Sequence, residues 1–280
     1  MILILFIFFV ACLENTYADA VYKSVTMPVS FSQGEPASII TIGDKTIPLM
    51  IDSGASKNFL VLSKRALKNI KVTYTGQTHC FKALDGPYCF KKFIIPIVKI
   101  GNFILHDVPG EEMQHLWDAN TKGFIETEAA KNGIIGLALL TKFNVLFYFK
   151  NKQITYMPFH FIPSNLDLKQ CHPVKADFSQ GIVANFFFNN KMNKMVLDTG
   201  ANISIINPKN TNKTLYYCNK DHINDFKNCK IDKIALFADQ KPENFYVRSF
   251  NLPFDGFIGS TYLLNHRVFI DSFNKTVYFC

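Results

Sequence analysis

Residues 37–54, ASIITIGDKTIPLMIDSG, align without a gap on residues 183–200, VANFFFNNKMNKMVLDTG. The offset is 146 residues, from Asp52 to Asp198. Each copy reads as a β-hairpin. An apolar strand (Ile39 to Ile42; Asn185 to Phe188) meets a turn at Gly43-Asp44-Lys45 or Asn189-Asn190-Lys191. A second apolar strand then ends on an aspartate followed by a hydroxyl residue, Gly and Ala.

Working outward, a second pair of segments also matches. Residues 133–156, GIIGLALLTKFNVLFYFKNKQITY, align on 256–279, GFIGSTYLLNHRVFIDSFNKTVYF, at an offset of 123 residues. Each starts with Gly, two apolar residues and Gly, continues as a short helix, and closes as strand, Asn-Lys turn (Asn151-Lys152; Asn274-Lys275) and strand. The two offsets differ by 23 residues (146 against 123), so the first copy carries about one extra hairpin. The chain therefore divides into two homologous β-rich halves, 21–160 and 181–280, joined by residues 161–180. The fold class expected is mainly all-β and bilobal, with two pseudo-twofold-related β-barrel lobes.

An aspartate at the end of an apolar strand is costly to bury alone. Gly54 and Gly200 permit tight turns whose backbone N–H groups point at the carboxylate, and Ser53 and Thr199 supply hydroxyls that lock those turns. If the halves pack about a pseudo-twofold axis, Asp52 faces Asp198. Two carboxylates that close share one proton, which makes a general acid and a general base in one site.

On these residues the chain resembles the pepsin and retropepsin aspartic peptidases. The matching motifs are IDSGAS at Ile51–Ser56 and LDTGAN at Leu197–Asn202, with Ile134-Ile135-Gly136 and Phe257-Ile258-Gly259. In that family the second element crosses behind the catalytic loop of its own lobe. Ala55 and Ala201 after the triplets, and the short halves, look more like the retropepsin-like branch than like pepsin. The resemblance implies an aspartic endopeptidase with Asp52 and Asp198 catalytic, acting on a protein or peptide substrate without metal or organic cofactor. Because both loops are on one chain, it implies a monomer. The alternative is a catalytically silent peptide-binding or inhibitor-like protein on the same scaffold. One departure is Tyr148, where the second half has Asp271.

Such a cleft needs a flap, and the extra hairpin at residues 72–96 is the candidate. Its tip holds Ala83, Leu84, Asp85 and Gly86 between Cys80 and Cys89. Tyr88 and Tyr74 are both candidates for the flap tyrosine. The expected disulfides are Cys80–Cys89 and Cys218–Cys229, each closing a local loop, and Cys171–Cys280, tying the connection to the C-terminus.

Composition fits an exported globular protein. Of 280 residues, 48% are hydrophobic, which is enough for a sizeable core and argues against disorder. Met1 to Ala11 is an apolar run too short to span a bilayer, and Ala18-Asp19-Ala20 suits signal peptidase, so residues 1–20 read as an export signal. Export would be to a secreted, periplasmic or lumenal compartment, with no stable membrane insertion after signal removal. Lipid anchoring at Cys12 is a minor option. Losing Glu14 and Asp19 with that signal, and no base, raises the net charge from +8 to +10. The bases are scattered singly instead of forming a block, so no nucleic-acid partner is expected. Zinc-ligand spacings and a serine-hydrolase motif are both missing. Asn202, Asn212 and Asn274 fit glycosylation sequons. The acidic stretch from Gly110 to Lys131, which holds Trp117, reads as a solvated loop, with a substrate-contacting or autoinhibitory role as its alternative.

Overall fold

The structure, a computed structural model, describes residues 24–32, 34–55, 59–82, 87–113, 127–211 and 231–280. The first half carries β1 (Val25–Ser32), β2 (Glu35–Ile42), β3 (Lys45–Asp52), β4 (Leu60–Ser63), β5 (Thr73–Lys82), β6 (Pro87–Ile100), β7 (Phe103–Met113), β8 (Gly133–Gly136), β9 (Asn144–Tyr148) and β10 (Gln153–Met157). Between them lie three one-turn helices, α1 (Lys64–Leu67), α2 (Glu128–Asn132) and α3 (Leu137–Leu140). The second half carries β11 (His172–Asp177), β12 (Ile182–Phe188), β13 (Lys191–Leu197), β14 (Ile205–Ile206), β15 (Ile231–Ile234), β16 (Glu243–Val247) and β17 (Gly256–Ile258). It closes with α4 (Ser260–Leu263), β18 (Val268–Asp271) and β19 (Thr276–Phe279).

Strand pairing repeats as the sequence does. In β2–β3, Ala37 stands opposite Met50 and Ile42 opposite Lys45. In β12–β13, Val183 stands opposite Val196 and Phe188 opposite Lys191, which is the same register 146 residues later. The turns differ in chemistry but not in length. Gly43 supplies the positive φ in the first, whereas Asn189 (φ 53°) and Asn190 (φ 60°) both do so in the second, as a tight hairpin requires. Each aspartate-bearing strand then pairs in parallel with its apolar-apolar-Gly strand, Met50 beside Ile134 and Val196 beside Phe257. Leu49, Ile51, Met195 and Leu197 feed a continuous core, and Met50 and Val196 on the opposite strand faces are buried as well.

A six-stranded sheet in the order β1-β10-β9-β18-β19-β11 joins the halves. At its centre Leu146 stands opposite Phe269, which are the same position of the two repeats. Both are buried, in a cluster with Met157, Leu166 and Cys171. Cys171 and Cys280 form a disulfide beside this sheet. Cys80 and Cys89 form another, between opposed residues of β5 and β6. Cys218, Cys229, the tip residues Ala83 to Gly86, and the signal reading at 1–20 with Cys12 lie outside the described residues. Within 161–180, β11 is a strand that pairs with both β19 and β12.

The acidic stretch corrects one expectation. Gly110 to Met113 belong to β7, and Glu111 and Glu112 are buried, so this end is a strand and not a solvated loop. Glu128–Asn132 forms α2, capped by the Thr127 hydroxyl, and residues 114–126 lie outside the described residues.

Candidate active site

Asp52 is the last residue of β3, and Asp198 follows the last residue of β13. Their neighbours Ser53 and Thr199 are completely buried. Four bonds cross between the halves here. The Ser53 amide donates to Thr199 Oγ1 (2.9 Å), and the Thr199 amide donates to Ser53 Oγ (3.0 Å). The Ser53 hydroxyl donates to the Leu197 carbonyl (2.8 Å), and the Thr199 hydroxyl to the Ile51 carbonyl (2.7 Å). Each buried hydroxyl thereby donates one bond and accepts one, which is what a fully buried position demands.

The turns cradle their own aspartates. Asp52 Oδ1 accepts from the amides of Gly54 (2.8 Å) and Ala55 (3.1 Å). Asp198 Oδ1 accepts from Gly200 (3.0 Å) and Ala201 (3.2 Å). Each glycine also lies against the opposite carboxylate. A methyl carbon on Gly54 would stand 2.6 Å from Asp198 Cγ, and one on Gly200 would stand 2.7 Å from Asp52 Cγ. No side chain fits there, so Gly54→Ala is expected to push the two carboxylates apart. The loss of activity should be about 100-fold or more, measured as kcat/KM. Near wild-type activity in that variant would show that the carboxylates need not meet.

Burial, then the charge of Asp198, pushes the Asp52 carboxyl up to about 8. Burial also raises Asp198, against the pull of the Ala201 and Gly200 amides. The proton belongs to the pair rather than to either residue. With one carboxyl protonated and the other ionised, the site can accept a proton and donate one in the same encounter.

Behind each loop runs its apolar-apolar-Gly element. Leu137 donates its amide to the Ala55 carbonyl (3.1 Å), and Ser260 does the same to Ala201 (2.7 Å). The supports then diverge. Gly136 donates to the Phe59 carbonyl (2.9 Å), whereas Gly259 donates to the Ser204 hydroxyl (3.0 Å). The second loop is the shorter one. Val61 is nine residues beyond Asp52 and pairs with Ile134, while Ile205 is seven beyond Asp198 and pairs with Phe257. The Ser260 hydroxyl also donates to the Gly34 carbonyl, joining the β1–β2 turn to the second half.

Of the two flap tyrosines considered, Tyr74 pairs with Phe93 well away from the tip, and its hydroxyl donates to Glu112. Tyr88 stands opposite Phe81, beside the tip. Three polar residues went unnoticed in the sequence: His79, Glu111 and Ser204. A Glu-Glu pair inside an apolar strand pattern was the available signal for Glu111. Among the described residues, no group of three or more His, Cys, Asp or Glu side chains is placed to hold a metal ion.

No protein-family model matches the chain, and no curated protein matches it in sequence. Its structure is similar to that of an aspartic proteinase from Irpex lacteus. The match has a TM-score of 0.59 and 12% identity, and covers 92% of this chain and 97% of that one. At that identity the likeness establishes a pepsin-like fold.

Proposed function

We propose that this chain is an exported, single-chain aspartic endopeptidase that hydrolyses peptide bonds with a water held between Asp52 and Asp198. The observation that carries the reading is the pair of carboxylates brought face to face by turns that bond across the halves. In the reaction, the ionised carboxylate takes a proton from water as its oxygen bonds to the peptide carbonyl carbon. The protonated carboxyl gives its proton to the carbonyl oxygen, yielding a neutral tetrahedral diol. Its collapse breaks the C–N bond as a proton passes to the leaving nitrogen and the other returns to the dyad. All of this requires one proton on the pair, which raised carboxyls retain toward neutral pH.

The two disulfides among the described residues support export. The proposed working unit is a monomer formed of two fused retropepsin-like halves, because each half supplies one aspartate and the first half is 23 residues longer between its repeated segments. The test is digestion of a peptide library by the purified chain from acid to mildly alkaline pH. Cleavage is expected where the pair holds a single proton, and it should fall at strongly acid pH, where both raised carboxyls are protonated and the base is lost. It should fall as pH rises through about 8, where Asp52 gives up the proton that the dyad needs. Absence of cleavage at every pH, with peptide binding intact, would favour the silent peptide-binding alternative.

A further inference from the structure

Strand β6 lies between β5 and β7, yet β5 is tied directly to β7 on both faces of the ribbon. On one face the Tyr74 hydroxyl donates to Glu112. On the other, His79 Nδ1 lies 2.9 Å from Glu111 Oε1. Adjacent residues of a strand point to opposite faces, so the two ties cannot substitute for one another. Glu111 is 8% exposed, and its Oε2 has no hydrogen-bond partner. A carboxylate buried so incompletely satisfied depends on the cation beside it. Lys92, directly opposite Glu111 on β6, and His79 are the two bases that act on it.

The face holding His79 and Glu111 is also the face that meets the aspartate loop. His79 stands opposite Phe90, and Glu111 stands beside Val61 in the β4–β7 ladder. Phe90 and Val61 are buried with Met50, Met113, Ala130 and Ile134, and Ala55 packs against that cluster. Ala55 in turn donates its amide to Asp52 Oδ1. A continuous packed path therefore runs from the hairpin tie to the carboxylate cradle.

We propose that His79 and Glu111 are positioning residues of the site: their pairing seats Phe90 in the buried cluster on which Ala55 packs and so holds the Asp52 turn in its working geometry. The consequence for turnover rests on the endopeptidase reading, while the mechanical claim does not. His79→Ala and Glu111→Ala should each lower kcat about five- to tenfold with KM within twofold, and the double variant should be no worse than either single one. Glu111→Gln, which keeps an acceptor for His79, should restore most of the rate. Amide hydrogen exchange supplies a second readout, independent of catalysis. In His79→Ala, a truncation at a partly buried side chain, the Gly54 and Ala55 amides should exchange about tenfold faster while those of β18 stay protected. Unchanged exchange at Gly54 and Ala55 would overturn the proposal whether or not the chain cleaves peptides. So would losses that add in the double variant, or a Glu111→Gln variant no better than Glu111→Ala. A wild-type chain that cleaves nothing, with the exchange result as expected, would sink the endopeptidase reading and leave the tie standing.

Discussion

Asp52→Asn and Asp198→Asn are each expected to abolish peptide cleavage, lowering kcat by about 10,000-fold or more, while the variant protein folds. Each half supplies one carboxyl to the pair, so neither variant keeps both the base and the acid. Stability should move the other way. Burial and Asp198 raise the folded-state pKa of Asp52 from 3.8 to about 8. The stabilisation from its proton is therefore fully present below about 4 and lost as pH rises through about 8. Asparagine carries no charge to lose. At pH 8 the Asp52→Asn protein should thus be more stable than the parent, by about 1–3 kcal/mol once solvent reaching the cleft is allowed for. At pH 3 the two should melt together. Thermal melts at both values, beside a cleavage assay, read the prediction out. A variant that stays active, or that loses stability at pH 8, would remove the paired-carboxylate interpretation.

Ser53→Ala should be the most damaging single change that touches neither carboxylate. Its hydroxyl donates to the Leu197 carbonyl and accepts from the Thr199 amide, and all three groups are buried. Removing it leaves a buried N–H and a buried C=O without partners, at about 2–4 kcal/mol together. For a chain of this size the melting temperature should fall roughly 5–15 °C. Thr199→Val, which keeps shape and loses the hydroxyl, should do the same through the Ile51 carbonyl and the Ser53 amide. Ser53→Thr is the control. It copies the residue used in the other half and should cost far less. If Ser53→Ala melts with the parent, the crossing bonds do not hold the halves together.

The sequence made the repeat legible because two short periodic patterns, each ending on Asp-Ser-Gly or Asp-Thr-Gly, recur with the same internal spacing. That was enough to place both aspartates, the helices after the second glycines and the extra hairpin. It did not reveal how the halves join. The pairing of β9 with β18 depends on two segments over 120 residues apart, and nothing local to either marks the partner. Glu111 was misread for a related reason. It stands at the head of an acidic, polar stretch, and the approach of His79 and Lys92 from β5 and β6 makes burial of its carboxylate tolerable.

The opposition of Leu146 and Phe269 at the centre of the joining sheet sets a constraint of its own. Like Ser53 with Thr199, these two residues hold the same position of the two repeats and meet each other, so this layer lies on the pseudo-twofold axis. The contact is pseudo-symmetric, a Leu of one half against a Phe of the other, so a change of side-chain volume at either residue bears on the packing of both halves. A larger side chain there is expected to part the two halves and a smaller one to let them close. Their spacing is thereby adjustable from a buried position outside both aspartate loops.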